Sequence, residues 1–88
     1  MSQGITVQLR FFASVREAVG TGSETLSTRA ATASGLRDEL IARGGGWAEG
    51  LARGRAVRVA LDQLMLQDEN TALTNGCEVA FFPPVTGG

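Results

Sequence analysis

Alternating hydrophobic and polar positions at both ends of the chain predict two half-buried β-strands. In the N-terminal segment the apolar positions are Ile5, Val7, Leu9 and Phe11. In the C-terminal segment, residues 77–82, they are Cys77, Val79 and Phe81. Successive side chains of a strand point to opposite faces, so each segment predicts one buried and one open face. A thiol on the apolar face is predicted to be a buried structural cysteine rather than a reactive one.

The segments between these strands predict one main helix and three shorter strands. The helix should begin at Thr32 or Ala33 and end at Gly44, with Arg37, Asp38 and Arg43 away from the centre of its apolar face. That face consists of Ala33, Leu36, Leu40 and Ile41. The three further strands are predicted at residues 24–27, 57–61 and 64–66.

Turn and cap signals mark the connections between these elements. Ser14 and Glu17 have the spacing of a capping box, which predicts a short helix that ends at Gly20. Asp62 and Gln63 form a tight turn, after which Leu64 and Leu66 should face inward and Met65 outward. The glycine-interrupted residues 45–54 allow one helical turn at residues 47–51, where Trp47 is expected to cover an edge of the core. The element order suits an α+β domain with a mixed sheet packed on one helix.

Composition excludes most kinds of enzyme and several kinds of partner. The 88 residues make one domain, with a formal net charge of −1 that argues against nucleic acid as a main partner. The chain has no His, no Lys and no Tyr, so neither a Ser-His-Asp triad nor a P-loop is possible, and a metal site is not expected. One cysteine, no bilayer-length apolar run and no signal-peptide pattern predict a cytoplasmic protein that does not bind membranes.

Residues 83–88 predict a projecting tail, set apart from a domain formed by residues 1–82. Pro83 and Pro84 lack the N–H groups that a strand ladder needs, and they favour an extended course. At up to ~3.3 Å per residue, six residues reach roughly 20 Å. Gly87 and Gly88 carry no side chain, so the tail can thread a narrow channel in another protein. Once activated by a nucleotide, its carboxylate becomes an acceptor for a sulfur or nitrogen nucleophile.

Three large apolar residues, Phe12, Met65 and Phe82, fall on the sheet face that should be wet. Isolated exposed apolar residues need no explanation, but three on one face near the tail favour a docking patch. The alternative is that loops of the same domain cover them. A loose basic cluster of Arg53, Arg55 and Arg58 is interpreted as a solvated face that can also steer the domain to an acidic partner.

The two ends of the chain resemble one family along nearly the whole sequence. Residues 78–88 read Glu-Val-Ala-Phe-Phe-Pro-Pro-Val-Thr-Gly-Gly, and residues 9–20 begin Leu-Arg-Phe-Phe-Ala-Ser-Val-Arg-Glu. Both resemble the small subunits of molybdopterin synthase, ubiquitin-like sulfur carrier proteins of the MoaD/ThiS family. The resemblance implies a β-grasp roll with a mixed five-stranded sheet whose first and last strands are parallel neighbours.

The resemblance also implies a function without catalytic side chains on this chain. A ubiquitin-activating-like adenylyltransferase would use ATP to form a glycyl adenylate at Gly88, and a persulfide donor would convert it to a thiocarboxylate. With Gly87 aiding threading, the tail would enter the large synthase subunit and give sulfur to cyclic pyranopterin monophosphate within a heterotetramer. No stably bound cofactor is expected. The residues assigned to partner binding are Phe12, Met65, Phe82, Pro83, Pro84, Val85 and Thr86.

Three other functions stay open at the level of sequence. The chain could carry sulfur for thiazole synthesis or tRNA thiolation, since those carriers share the fold and the Gly-Gly end. It could be a protein modifier joined to lysines of targets. It could also be a plain interaction domain with an inert tail, in which case removal of Gly88 would leave function intact.

Overall fold

The computed structural model describes residues 4–84 and contains five strands and three helices in that range. The strands are β1 (Ile5–Phe11), β2 (Ser23–Thr28), β3 (Arg58–Leu61), β4 (Leu64–Met65) and β5 (Glu78–Phe82). The helices are α1 (Ala13–Val19), α2 (Ala33–Ile41) and α3 (Gly45–Leu51). No helix in the described part of the chain is long and apolar enough to cross a bilayer.

The strands form one mixed sheet in the order β2-β1-β5-β3-β4. The central strands β1 and β5 are parallel, and all other neighbours are antiparallel. Phe11 lies beside Phe81 in the parallel register, and the N–H of Phe12 donates to the carbonyl of Phe81 at 3.1 Å. The parallel pairing of the first and last strands confirms the β-grasp prediction. It also places the C-terminal ends of β1 and β5 side by side at the same end of the sheet.

The core lies between one face of the sheet and the helices. Phe11 and Phe81 stack with ring centroids 5.9 Å apart, and Trp47 meets Phe11 edge-on at 5.3 Å. Trp47 therefore covers a core edge, as predicted. Each fully buried large apolar side chain contributes roughly 2–3 kcal/mol from surface removed from water. The fully buried apolar side chains include Val7, Leu9, Phe11, Val15, Leu36, Leu40, Leu51, Val59, Val79 and Phe81.

Helix α1 begins earlier than the capping-box prediction, which was wrong. Its N-cap is Phe12, without a side-chain cap, and the N–H groups of Val15 and Arg16 donate to the carbonyl of Phe12 at 3.1 and 3.2 Å. Because Phe12 is still hydrogen-bonded to β5, the chain must turn immediately after it, and Ala13 takes a left-handed φ of 51°. The helix ends at Gly20 with φ 86°, as expected.

The start of α2 was predicted correctly, whereas its end and the next helix were not. The Thr32 hydroxyl accepts from the Gly35 N–H at 3.1 Å and caps the helix. The helix ends at Ile41 rather than at Gly44, because Gly44, with φ 77°, turns the chain into α3. Helix α3 spans seven residues instead of the single turn expected.

Arg37 is buried, at 3% exposure, and not away from the helix centre as predicted. Its Nε and Nη2 donate to the carbonyls of Leu51 and Ala52 at 2.8 and 2.9 Å, and its Nη1 donates to Glu69 at 3.0 Å. The end of α3 leaves carbonyls without helical partners, and this guanidinium satisfies them. Arg37 therefore ties α2 to the end of α3 and to the loop before β5.

The β3–β4 hairpin has the predicted two-residue turn but not the predicted orientation of Leu64. Asp62 and Gln63 have φ of 50° and 72°, and the Asp62 carboxylate accepts from the Glu78 N–H at 2.9 Å. Leu64 is 73% exposed, although it was expected to face inward. It lies on a two-residue strand at the sheet edge, where no helix covers it. Leu66 is partly buried and packs against the core, as expected.

Candidate functional site

The first two residues after β5, Pro83 and Pro84, form the root of the C-terminal segment and are called the tail root below. Both are half-buried, and they line a cleft of about 330 Å³ against Val15, Gly50 and Val57. The remaining predicted site residues, Val85, Thr86, Gly87 and Gly88, lie outside the described residues. The predicted boundary between the domain and the tail therefore stays a prediction.

The apolar residues predicted to dock lie at or beside the sheet face opposite the core. Met65 pairs with Ala60, and Ala60 pairs with Ala80, so these three side chains form a row on that face. Both alanines are themselves buried, at 8% exposure each, so Met65 is the exposed member of this row. We call Phe12, Ala60, Met65, Ala80 and Phe82 the outer sheet patch.

Exposure differs among the three large members of the outer sheet patch. Met65 is 55% exposed and Phe12 is 43% exposed, whereas Phe82 is half-buried. Phe12 follows Phe11 in extended conformation, which turns its ring away from the core. No other segment of residues 4–84 buries Met65 or Phe12, so the alternative that loops of this domain cover them is wrong for these two side chains.

Arginines border the outer sheet patch on two sides. The Arg10 guanidinium lies 5.8 Å from the centroid of the Phe12 ring, within range of a cation–π contact, and 3.7 Å from the Glu78 carboxylate. Arg58 is the cross-strand partner of Phe82. An apolar centre with a charged border is the usual anatomy of a protein–protein interface.

A cleft of about 430 Å³ lies beside Pro84 and is lined by four arginines; we call it the arginine cleft. Two of the four are neutralised: Arg37 binds Glu69, and Arg53 binds both Glu69 and Asp38, at 3.0 and 2.8 Å. The hydrogen bond with Asp38 raises the pKa of Arg53 further above its usual range. The charged residues that line the arginine cleft are Arg37, Arg53, Arg55, Arg58 and Glu69.

The sequence grouped three of these arginines but missed Arg37. A long side chain beside an apolar helix stripe carries no sequence signal of burial, because its carbonyl partners come from another helix. Cys77, in contrast, is 3% exposed and free, as predicted. Within residues 4–84, no cluster of His, Cys, Asp and Glu has the arrangement of a metal site.

The outer sheet patch, the tail root and the arginine cleft lie next to one another at the end of the sheet where β1 and β5 both finish. A partner that covers the outer sheet patch would therefore also meet the root of the C-terminal segment.

Known proteins resemble this chain along nearly its whole length. It is 44% identical over 78 residues to the molybdopterin synthase sulfur carrier subunit of Haemophilus influenzae, covering 89% of this chain and 94% of that protein. It is 40% identical over 82 residues to the Escherichia coli protein of the same name, covering 93% and 99%.

A solved structure has the same fold. It is a complex of subunits 1 and 2 of molybdopterin-converting factor from Helicobacter pylori, and one of its chains matches with a TM-score of 0.65 and 28% identity, covering 96% of this chain and 100% of that one. The model of the ThiS family matches residues 9–88, which include both segments that carry the sequence resemblance. The chain therefore belongs to the ThiS family.

Proposed function

We propose that this protein is the sulfur carrier of molybdenum cofactor biosynthesis, the small subunit of a molybdopterin synthase. The observation that carries the proposal is that the outer sheet patch and the tail root lie together at the end of the sheet where β1 and β5 finish. The two relatives named as molybdopterin synthase sulfur carrier subunits, each at least 40% identical, support this pathway over other uses of the fold.

The chemistry of the proposal takes place at the carboxyl group of Gly88. An adenylyltransferase joins that carboxylate to AMP from ATP and releases pyrophosphate, which turns a poor electrophile into a mixed anhydride. A persulfide sulfur attacks the carbonyl carbon and AMP leaves; reductive cleavage of the S–S bond by a thiol then gives the thiocarboxylate. Gly87 and Gly88 have no side chain, so this end can pass through a narrow channel.

Sulfur transfer would take place inside the large synthase subunit. The thiocarboxylate sulfur forms a C–S bond to a side-chain carbon of cyclic pyranopterin monophosphate as an oxygen substituent of that carbon leaves. Water then cleaves the acyl C–S bond, which leaves the sulfur on the pterin and returns the Gly88 carboxylate for another cycle. The acids and bases of that reaction are assigned to the large subunit. The assembly of two subunits in the Helicobacter pylori structure supports such a partner. A heterotetramer and a cytoplasmic location are part of the same proposal.

Intact mass measures the central step directly. The protein is incubated with the adenylyltransferase, ATP and a persulfide donor, and we expect the mass gain of one oxygen replaced by sulfur. A variant with one alanine added after Gly88 is the matched control, because its carboxylate is displaced by one residue while residues 4–84 are unchanged. It should stay folded by circular dichroism and fail to restore synthase activity. Absence of the mass gain in the unmodified protein would refute the carrier function.

The docking role of the outer sheet patch is tested by charge insertion. Phe82→Arg and Met65→Arg should each weaken binding to the large subunit by about tenfold or more, because a charge replaces an apolar side chain that the partner would bury. Ser27→Arg is the control, since it adds the same charge on an exposed position of β2, on the far side of β1 from β5. A large loss of thermal stability in Phe82→Arg would instead assign Phe82 to the core.

A pull-down separates this function from its rivals. Capture of a thiazole synthase rather than the large synthase subunit would indicate a carrier for thiamine, and Gly-Gly-tailed lysine conjugates in cells would indicate a protein modifier.

A further inference from the structure

We propose that the arginine cleft is a docking site for acidic side chains of the large synthase subunit, at the mouth of the channel that receives the tail. The inference rests on the proposed function and adds to it a second contact, electrostatic rather than apolar. The outer sheet patch would give the apolar part of the interface, and the arginine cleft would orient the tail root over the channel.

The arginines of the cleft outnumber the carboxylates that pair with them, which favours an anionic partner. Arg37 and Arg53 share the Glu69 carboxylate, and Arg53 also binds Asp38. Among residues 4–84, Arg55 and Arg58 form no ion pair, and both are exposed. The chain as a whole has a formal charge of −1. Two uncompensated guanidiniums in one cleft are thus a local excess of positive charge on a chain that is acidic overall.

The cleft is continuous with both parts of the proposed interface. Pro84 lines it and directly precedes residues 85–88, the rest of the predicted tail. Arg58 is the cross-strand partner of Phe82, which places its backbone next to the outer sheet patch. A partner that buries Phe82 and accepts the tail must therefore bring its own surface over Arg58.

Hydrogen bonds within the domain hold Arg37 and Arg55, two of the four arginines of the cleft. Arg37 holds the end of α3 through the carbonyls of Leu51 and Ala52. The Arg55 Nε donates to the carbonyl of Glu49 at 3.0 Å, which leaves its two terminal nitrogens for another acceptor. A guanidinium held in this way presents a planar donor fork that matches a carboxylate, and less conformational entropy is lost on binding.

Distance favours a carboxylate of the partner over a phosphate carried by the tail. A tail threaded into a channel is extended, and four residues at ~3.3 Å each place the Gly88 carboxyl about 13 Å beyond Pro84. The adenylate formed there lies beyond hydrogen-bond range of Arg55 and Arg58. An anion within range while the tail is threaded therefore belongs to the surface that surrounds the channel.

Charge reversal with a matched control tests the proposal. The Arg55→Glu/Arg58→Glu double variant is compared with Arg29→Glu, which reverses an exposed arginine next to the end of β2, at the opposite end of the sheet from the tail root. Arg58→Gln gives the intermediate step of neutralisation. Binding to the purified large subunit is measured at about 20 mM and about 500 mM salt, which screen charges over roughly 20 Å and 4 Å.

We expect the double variant to bind about tenfold or more weakly at low salt, mainly through slower association, with most of the difference lost at high salt. Arg58→Gln should lie between it and the unmodified protein, and Arg29→Glu should bind normally. All variants should melt as the unmodified protein does and form the thiocarboxylate equally well.

Three results would overturn the proposal while leaving the sulfur-carrier function intact. The first is a double variant that binds the large subunit as tightly as the unmodified protein. The second is a defect confined to adenylation, which would assign the cleft to the activating enzyme. The third is saturable binding of inorganic phosphate at Arg55 and Arg58 of the isolated chain, which would assign the cleft to a phosphate. Failure of the unmodified protein to bind the large subunit at all would instead refute both the function and this inference.

Discussion

Arg37 makes buried hydrogen bonds whose loss should lower the free energy of unfolding substantially. Replacing it with methionine keeps the aliphatic stem but leaves the carbonyls of Leu51 and Ala52 without their donors. A buried acceptor without a partner costs about 1–3 kcal/mol, so we expect Arg37→Met to lower the free energy of unfolding by about 2–4 kcal/mol in urea titrations. Arg53→Met, at a side chain 44% exposed, should cost no more than about 1 kcal/mol. Equal losses in the two variants would contradict the assigned role.

The Glu24–Arg43 pair should make stability depend on pH in the acid range. Arg43 donates to both oxygens of Glu24, at 2.9 and 2.6 Å, and these hydrogen bonds lower the pKa of Glu24 below its ordinary 4.5. The folded protein therefore holds this proton less tightly than the unfolded chain does. The stabilisation is present above pH 4.5 and is lost as pH falls through the lowered pKa.

Glu24→Gln tests this dependence. The unmodified protein should be more stable than the variant by less than about 1 kcal/mol at pH 6, because the pair is close to the surface. This difference should shrink as the pH falls below 4.5 and Glu24 becomes protonated. Arg43→Gln should remove the same pH-dependent component, together with a pH-independent loss, since the Arg43 guanidinium also lies 4.3 Å from the centroid of the Trp47 ring. A constant difference between pH 6 and 3 would show that the pair does not titrate as described.

At the scale of elements, the sequence predicted the existence of strands and helices better than their limits. The predicted helix boundaries and side-chain orientations were wrong where a contact distant in sequence determines them. Phe12 caps α1 because β5 holds its backbone, and Leu64 is exposed because β4 is an edge strand. Neither contact is visible in a local pattern. The position of Phe82 on the face opposite the core was predictable, in contrast, because strand alternation alone separates its side chain from that of Phe81.

The packing of α3 on α1 depends on two glycines of α3. A Cβ at Gly46 would lie 1.8 Å from the carbonyl oxygen of Ala18, and one at Gly50 would lie 2.7 Å from the Cβ of Ala18. Helix α3 must move for either to fit, so Gly46→Ala should lower the free energy of unfolding by about 3 kcal/mol or more.

Gly54→Ala is the matched control for this prediction. A Cβ at Gly54 meets nothing within 4 Å, and its φ is not left-handed. The change should be neutral or stabilise by up to about 1 kcal/mol, because alanine restricts the unfolded chain. Thermal melts of both variants decide the matter, and a Gly46→Ala protein as stable as Gly54→Ala would show that α3 does not sit this close to α1.

At the scale of the whole molecule, the domain and its C-terminal end should be separable in stability but not in function. Strand β5 is central, paired with β1 on one side and β3 on the other, and its last core residue is Phe81. Deletion of residues 85–88 leaves every one of those strand pairs in place. We expect the shortened chain to unfold within about 0.5 kcal/mol of the full chain, the range of surface changes, and to gain no sulfur in the mass assay.

Deletion of residues 81–88 provides the contrast, because it removes Phe81, which pairs with both Phe11 and Val59, and Phe82, which pairs with Arg58. The loss of a buried phenylalanine alone costs about 3–5 kcal/mol, a large part of the stability of so small a domain. That chain should show little cooperative unfolding. If the shorter deletion lowered the free energy of unfolding as much as the longer one, residues 85–88 would have to contribute to the folded domain itself. A carrier that inserts these residues into a partner's channel would then lose stability each time it docked.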